Sequence, residues 1–352
     1  MQQLESFGGV SVAMAMNISQ AQTEAMRVFY QGFLKMDAML KVGSGAFEIV
    51  QRMVSGGAGP EIMGAFVDSA GEPWSRGVKF HGPADITRAA KSTFIQTAIV
   101  SILSNFDWFT ISLVGDYLQF DAGAASTKPF AHKHSIGSSS ATGPYDKNTC
   151  CLKFGDKYGR QHKLSVRVED LTADLGVKLA VIDHALPVFH YFRIIRNNIA
   201  HNAGMADSEL VKHTSTPAYS KSLSYWSAKA KSKKIPVLPI FQPGIPIAME
   251  PRHAVLINIM CMEMASALNV EVVNRLGGEG LVRMATFHAL LTADHPMRSS
   301  TPPQDYVWAV RDLLRDAYRV QGPSLTETQK LIGQAGLKNE AQRRWRELYK
   351  TP

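Results

Sequence analysis

The chain has 352 residues, of which 45% are hydrophobic and 19% are charged, and this composition excludes an intrinsically disordered protein. Its 38 lysines and arginines exceed its 30 aspartates and glutamates, which gives a formal net charge of +8. Excess positive charge favours polyanionic partners such as nucleic acid; the alternative is a solvated basic surface without a partner.

Cysteine usage and the apolar stretches indicate the compartment. Cys150, Cys151 and Cys261 provide neither a disulfide framework nor a CxxC metal site, so we expect a reduced, cytoplasmic protein. No secretory signal is recognisable at the start of the chain. The apolar stretches at residues 8–16 and 95–103 are shorter than the ~20 residues that a membrane helix needs, so we expect no membrane partner.

The first part of the chain is predicted to be helical. Apolar residues recur at spacings of three and four from residue 18 to residue 54, which is typical of a helix. Gly43-Ser44-Gly45 is predicted to interrupt it, so that Ala46–Val54 forms a second, short helix. Glycine and proline recur from Gly57 to Pro83 and indicate a loop and a domain boundary. Residues 1–83 are thus an N-terminal helical segment without an assigned role.

A second helical block, residues 84–120, is followed by a segment of different composition. Residues 121–149 are rich in Gly, Ala, Ser and Thr, and the alternation in Thr149–Phe154 and Lys163–Val168 predicts a β-hairpin. We therefore expect a small β-containing insertion at about residues 121–170. Three histidines occur there (His132, His134 and His162), but ligands at convincing spacing are absent and we expect no metal site.

The remaining chain is again predicted to be mainly helical. Asp174–His201 is expected to be a helix with Pro187 near its first turn, and residues 205–249 are expected to be irregular because prolines recur there. Further helices are predicted at Pro251–Leu276, which Gly277-Gly278 ends, and at residues 281–292, 304–319 and 324–348.

One hexapeptide carries residues suited to chemistry on a phosphodiester: Arg196-Asn197-Asn198-Ile199-Ala200-His201. Arginine is a permanent cation that binds phosphate oxygens in pairs, and histidine titrates near neutral pH. Together they can bind a phosphodiester and move its protons without a metal ion. The alternative is an arginine near a helix end and a solvent-facing histidine without function.

The hexapeptide resembles the Arg-(polar)-x-x-x-His signature of the HEPN superfamily, whose active members are mostly metal-independent ribonucleases. The segment Asn105–Val114 is also similar to the opening helix of several HEPN subfamilies. The resemblance implies a mainly α fold, with a HEPN-like helical bundle at residues 84–320 and a tail at residues 321–352. It also implies an endoribonuclease without a cofactor.

HEPN ribonucleases usually act as dimers whose two motifs face one cleft, so the resemblance further implies a homodimer. Such proteins often serve as toxins or antiviral effectors, and a regulatory or antitoxin protein is then a candidate partner. By the same resemblance Arg196 holds the scissile phosphate, and His201 exchanges protons with the ribose 2′-OH or the 5′ leaving oxygen. Asn197 is expected to orient these groups, and Asn198 and Arg193 to line the RNA groove.

The spacing of the motif makes a geometric demand. Five residues on an ideal helix span about 500°, so Arg196 and His201 are expected to point roughly 140° apart. Convergence then requires a helix that frays or bends at His201, or a second subunit. Gly204 makes a helix end close to His201 plausible, since glycine commonly follows helix C-termini.

The segment Val211–Lys234 is a second candidate RNA contact. It has no acidic residue, and lysines along a backbone with aromatic residues for base stacking suit a single-stranded RNA groove. The residues concerned are Lys212, Lys221, Tyr225, Trp226, Lys229, Lys231, Lys233 and Lys234. The alternative is a solvated, flexible loop.

Two alternatives to a ribonuclease stay open from the sequence. The first is a non-catalytic RNA-binding or scaffold protein that keeps the fold. The second is a helical subunit of a larger complex, in which the motif is accidental. No GxxxxGK[ST] sequence is present, which argues against an ATPase or GTPase.

Overall fold

The computed structural model of the chain describes residues 16–56, 83–121, 164–229, 235–292, 303–322 and 324–334. Within these ranges the regular elements are nine α-helices and one short π-helical segment, without a strand. Extended segments pair there only in isolated bridges, at Asn17–Gln321 and Met205–Pro246. The mainly α class predicted from the sequence is therefore confirmed.

The helices follow one another along the chain with these bounds: α1 (Glu24–Ser55), α2 (Pro83–Phe120), α3 (Leu164–Leu175), α4 (Ala180–His201), α5 (Ser208–Thr214), α6 (Pro217–Lys229), α7 (Pro251–Thr292), α8 (Pro303–Asp312), the π-helical segment (Leu313–Ala317) and α9 (Leu325–Gln334).

The chain forms two compact units, and neither is a single continuous stretch of sequence. Unit 1 comprises Met1–Phe29, Trp108–Lys178 and Ala265–Pro352, and unit 2 comprises Tyr30–Asp107 and Leu179–Met264. The hexapeptide lies in unit 2, at the C-terminal end of α4.

In unit 1, side chains from α2 and α7 satisfy the buried start of α1. The first N–H groups of a helix have no partner within the helix. Here the Ala25 N–H donates to the Asp116 carboxylate (2.8 Å) and the Thr23 N–H donates to Asn269 Oδ1 (2.9 Å). The negative charge of Asp116 also suits the positive end of the helix dipole. This buried polar cluster thus has a structural explanation.

In unit 2, aromatic contacts tie the motif helix to the rest of the unit. Phe189 of α4 packs against Phe106 of α2, with ring centroids 5.4 Å apart. One side of α4 is buried, and its apolar residues are Ile182, Ala185, Val188, Phe189, Tyr191, Phe192, Ile194 and Ile195. Packing of this face holds α4 in place and leaves its other side for polar groups.

The predicted interruption of the first helix is wrong. α1 starts at Glu24 and continues through Gly43-Ser44-Gly45 to Ser55. A glycine inside a helix costs only about 1 kcal/mol, and Gly43 is needed here because a Cβ at this position would collide with the Phe94 ring. Phe47, one turn later, packs against the same ring, with centroids 5.5 Å apart. Packing thus outweighs the local signal of the glycines.

The prediction of the second hairpin strand is also wrong. Lys163–Val168 was predicted to be extended, but α3 begins at Leu164. Val168 and Leu171, three residues apart, are both buried, which is the spacing of a helix face. The first predicted strand, Thr149–Phe154, lies outside the described residues, as do the three histidines of that segment.

Residues 205–249 contain two helices that were not predicted. Asp207 starts α5, because its side chain accepts a hydrogen bond from the Leu210 N–H (2.8 Å). Thr216 does the same for α6 through the Tyr219 N–H (3.3 Å), and Pro217 occupies the first helical position. Pro217 therefore begins a helix, whereas the recurrence of proline in this region had predicted only irregular chain.

Two other predicted elements agree with the structure, and the start of a third differs. The block at residues 84–120 corresponds to α2, and the predicted break at Gly277 is present, because this residue has a non-helical backbone (φ 59°, ψ −170°) inside α7. The helix predicted from Asp174 begins at Ala180 instead, since Gly176 adopts a positive φ of 70° and separates α3 from α4.

Among the helices that the structure describes, two are long and apolar enough to cross a membrane by length and composition alone. They are α2 over Asp85–Tyr117 and α7 over Pro251–Thr286, with mean hydropathies of 1.4 and 1.5 in their most apolar stretches. In these stretches 61% and 56% of the helix is buried inside the protein. Core helices meet the same criterion, so this finding alone assigns neither helix to a membrane.

Candidate functional site

Pro187 lies in the interior of the motif helix, so the prediction that it occupies the first turn is wrong. It lacks the N–H that would bond to the carbonyl of Asp183. The next carbonyl, that of His184, accepts hydrogen bonds from two side chains of α6, Trp226 Nε1 (2.9 Å) and Ser222 Oγ. α6 therefore supports α4 at the turn that proline weakens.

The helix remains intact through the hexapeptide and ends at its histidine. The Asn202 N–H still bonds to the Asn198 carbonyl (2.9 Å), and the Gly204 N–H bonds to the same oxygen (3.0 Å). Ala203 and Gly204 then adopt positive φ angles of 47° and 75°. The predicted helix end close to His201 is confirmed, and the helix does not fray before it.

The segment after the helix is held by a second stretch of backbone. The Ala206 N–H bonds to the Ile245 carbonyl (2.9 Å), and the Ile247 N–H bonds to the Gly204 carbonyl (2.8 Å). These bonds fix the direction in which the chain leaves the motif. The exposed His201 thus stands at a defined helix end.

Arg196 and His201 approach the end of the helix from different sides. With regular helical geometry between them, they are rotated by roughly 140° and separated by about 7.5 Å along the axis. Asn197 and His201 are one turn apart and rotated by only about 40°, so these two share a face. Arg196 Nη1 donates a hydrogen bond to Asn197 Oδ1 (3.1 Å). This bond directs the guanidinium toward the face that carries Asn197 and His201.

Asn198 does not face an RNA groove, contrary to the prediction. Its residue surface is only 3% exposed, and its carbonyl accepts the two N–H groups that close the helix. Its side-chain Nδ2 has no hydrogen-bond partner among the described residues. Asn198 therefore lies on the buried side of α4, together with the apolar residues of that helix.

Two arginines of α4 differ from most others in the described part of the chain. Eight described arginines pair with a carboxylate within 4.0 Å: Arg27, Arg52, Arg88, Arg252, Arg275, Arg283, Arg311 and Arg315. Arg193 and Arg196 donate to His190 Nδ1 and Asn197 Oδ1 instead, and no described carboxylate pairs with either. An arginine without an internal counter-ion retains N–H donors for an external anion.

The lysine-rich segment is helical over its described part, and its aromatic residues are engaged. Trp226 is only 5% exposed and faces the interior, so its predicted role in base stacking is wrong. Tyr225 stacks on the His184 ring with centroids 4.2 Å apart. Lys229 pairs with Glu263 (2.7 Å) and lies over the Trp226 ring.

The other predicted lysines of this segment are either exposed or outside the described residues. Lys212 on α5 and Lys221 on α6 are exposed. Lys231, Lys233 and Lys234 lie outside the described residues.

Arg193, which the sequence analysis assigned to the RNA groove, lies one turn before the motif in a group with His190 and His213. Arg193 Nε donates to His190 Nδ1 (3.1 Å), and the His190 and His213 rings meet edge to face with centroids 4.6 Å apart. His213 Nε2 donates to the Pro187 carbonyl (2.6 Å). The signal in the sequence was the spacing of His190, Arg193, Asn197 and His201, which repeats at three or four residues.

No group of three or more His, Cys, Asp or Glu side chains able to hold a metal ion occurs in the part of the chain that the structure describes. The arrangement at the end of α4 can bind an anion through Arg196 and accept or donate a proton through the exposed His201.

Comparison with known proteins gives no match to a protein-family model, a curated protein or a solved structure.

Proposed function

We propose that the protein is a metal-independent endoribonuclease that cleaves RNA by attack of a ribose 2′-OH on the adjacent phosphorus. The observation that carries this proposal is the end of α4. There Arg196 has no carboxylate partner among the described residues and donates a hydrogen bond to Asn197, and an exposed His201 lies at the end of the same helix. The resemblance to the HEPN signature and the net charge of +8 support the same function.

In the proposed reaction Arg196 binds the non-bridging phosphate oxygens and stabilises the charge that builds up on them. A neutral imidazole accepts the proton of the 2′-OH as the bond from O2′ to phosphorus forms. A protonated imidazole donates a proton to O5′ as the bond from phosphorus to O5′ breaks. The products are a 2′,3′-cyclic phosphate and a free 5′-OH.

We further propose that the active form is a homodimer in which two copies of the motif share one cleft. One histidine cannot be neutral and protonated at once, whereas two copies of His201 can divide the roles of base and acid. The rotation of roughly 140° between Arg196 and His201 favours the same arrangement, because Arg196 of one copy can then face His201 of the other.

The proposal is tested by cleavage of single-stranded RNA in EDTA. We expect wild-type protein to cleave and to leave cyclic phosphate ends, and we expect Arg196→Ala and His201→Ala to be inactive. Arg252→Ala is the matched control, because this exposed arginine already pairs with Glu250 (2.6 Å). Cleavage by both motif variants, or by none of the proteins, would refute the assignment.

The shared cleft has its own test, in which wild-type protein and His201→Ala are mixed in equal amounts and allowed to exchange subunits. If one cleft needs both copies of His201, only the wild-type homodimers are active, and about a quarter of the activity of the same total amount of wild-type protein remains. If each chain holds a complete site, about half remains.

The same spacing is the observation that favours a non-catalytic RNA-binding or scaffold protein as the second candidate. On an intact helix Arg196 and His201 do not converge by themselves. That candidate predicts binding of RNA by wild-type protein without cleavage, and a cleaved product would exclude it.

Cellular role and partners rest on the resemblance. We propose a cytoplasmic toxin or antiviral effector that acts on RNA, with a regulatory or antitoxin protein as its partner.

A further inference from the structure

A polar stripe runs along α4 and leads away from the motif. On a helix with 100° per residue, His190, Arg193, Asn197 and His201 fall within an arc of about 80°, over an axial length of about 16 Å. All four are half-buried or exposed, whereas the apolar side of α4 is buried. The proposed function uses only the end of this stripe.

Arg193 is held in the stripe by a hydrogen bond that occupies one of its five N–H groups. Its Nε donates to His190 Nδ1 (3.1 Å). Its two Nη nitrogens have no acceptor among the described residues. A guanidinium fixed through Nε presents its Nη groups as a fork, which is the geometry that binds two oxygens of one phosphate.

His190 is itself fixed from two further sides. Because Nδ1 accepts from Arg193, the proton of the neutral ring is on Nε2, and Nε2 lies 4.0 Å from the Glu209 carboxylate. The ring also packs against His213 of α5, which is anchored on the Pro187 carbonyl. Glu209 and Arg193 thus contact different edges of the imidazole and form no ion pair with each other.

We propose that Arg193, positioned by His190, binds the phosphate next to the scissile one, so that single-stranded RNA runs along the stripe from His201 toward His190. Arg193 precedes Arg196 by three residues, which is about 4.5 Å along the helix axis and a 60° rotation. A nucleic-acid strand advances about 3.4 Å per phosphate in a duplex and more when it is extended, so two long arginine side chains can contact consecutive phosphates. This inference rests on the proposed function, because it places the scissile phosphate at Arg196.

The experiment measures how RNA binding depends on salt. The probe is a fluorescent 12-nucleotide RNA with 2′-O-methyl groups, which cannot undergo 2′-OH attack, and its binding is followed by anisotropy in a KCl series. Each phosphate contact in a single strand contributes about 0.7 to the slope of log K against log[salt]. We expect Arg193→Gln to reduce the slope by about 0.7, and Arg193→Lys, which keeps the charge, to preserve it.

Two controls separate this path from others. Arg252→Gln changes an exposed arginine that pairs with Glu250 (2.6 Å) and is expected to leave the slope unchanged. His190→Ala is expected to weaken binding, and His190→Asn to restore it, because the amide oxygen of asparagine can replace Nδ1 as acceptor; thermal unfolding verifies that each variant is folded. An unchanged slope for Arg193→Gln, a reduced slope for Arg252→Gln, or no binding by wild-type protein would overturn the inference.

Cleavage of unmodified RNA in EDTA is measured on the same samples and distinguishes the two proposals. If wild-type protein cleaves and Arg193→Gln keeps the full slope, the second phosphate position is wrong and the nuclease stands. If the slope falls as expected and wild-type protein does not cleave, the position stands and the nuclease is wrong.

Discussion

Replacing Trp226 by phenylalanine separates a packing role from a role in RNA binding. The indole N–H donates to the His184 carbonyl beside the proline in α4 (2.9 Å), and the ring is 5% exposed. Phenylalanine removes this hydrogen bond, which is worth about 1 kcal/mol net. Because phenylalanine has one ring where indole has two, the substitution also leaves a cavity. We expect this cavity to cost about 1 kcal/mol more, given that full truncation of a buried Trp costs about 3–5 kcal/mol.

We therefore expect Trp226→Phe to lower the free energy of unfolding by about 2 kcal/mol. For a chain of 352 residues, with an unfolding entropy of about 2.1 cal/mol/K per residue, that corresponds to a Tm lower by roughly 3 °C. The assay is urea denaturation followed by circular dichroism, with RNA affinity measured on the same samples. Arg252→Gln, at an exposed arginine that pairs with Glu250 (2.6 Å), is the control and should change neither quantity.

A base-stacking tryptophan would give the opposite pattern. Loss of a stacked base costs about 1–3 kcal/mol of binding free energy and nothing in stability. If Trp226→Phe keeps the unfolding midpoint of the wild type and weakens RNA binding by tenfold or more, the assignment of this residue to packing is refuted.

Three further predictions concern stability. Gly277→Ala should cost about 1–3 kcal/mol, because φ 59° and ψ −170° suit only glycine although the space around the residue is open; an unchanged urea midpoint would contradict this. Burial raises the pKa of Tyr191 above its ordinary value of 10. The unfolded chain therefore ionises first, and stability falls as the pH rises above about 10. Tyr191→Phe, which loses the bond to the Pro239 carbonyl (2.8 Å), should be about 1 kcal/mol less stable at neutral pH and show a shallower loss between about pH 9 and 11. Asp116→Ala leaves the Ala25 N–H buried without its acceptor and should lower the free energy of unfolding by about 2 kcal/mol in urea denaturation. An unchanged free energy of unfolding would show that Asp116 does not stabilise the start of α1.

The sequence predicted the helices whose signals are local and unopposed. α2 has a regular apolar spacing without an internal breaker, and its bounds were predicted within one residue. The break at Gly277 was also predicted from a local signal, the adjacent glycines Gly277-Gly278. α1 was divided wrongly, because the reason for Gly43 is the ring of Phe94, which is distant in sequence. No local pattern carries that information.

The lysine-rich segment shows how composition misled the prediction. Lysines and prolines indicated an irregular loop, whereas Asp207 and Thr216 carried the signals of two helix starts. The aromatic residues suggested base stacking because their environment was unknown. Trp226 is buried against α4, where its indole N–H donates to the His184 carbonyl, one residue from the carbonyl whose bond Pro187 removes. This contact arises only from the packing of two helices.

For the candidate site, the sequence identified the residue types and the structure supplies their relations. The hexapeptide and its helix end were predicted from local pattern alone. The bond between Arg196 and Asn197 required side-chain conformations, and the absence of a described carboxylate beside Arg193 and Arg196 required the positions of acidic residues elsewhere in the chain. Ion pairing is a property of the fold, so no spacing rule could have distinguished these two arginines from the others.

The spacing between Arg196 and His201 now has a different meaning from the one that the hexapeptide alone suggested. An intact helix excludes convergence by fraying, and the Asn197 side chain provides another route, because it shares a face with His201 and accepts a hydrogen bond from Arg196. A long arginine side chain can cross part of the 140° rotation that its Cα cannot. The single chain then presents a directed cation and a histidine at one helix end, which suffices to bind a phosphate but supplies only one proton-transfer group. Catalysis by 2′-OH attack needs two such groups, so the second histidine is the part of the site that a partner copy has to provide.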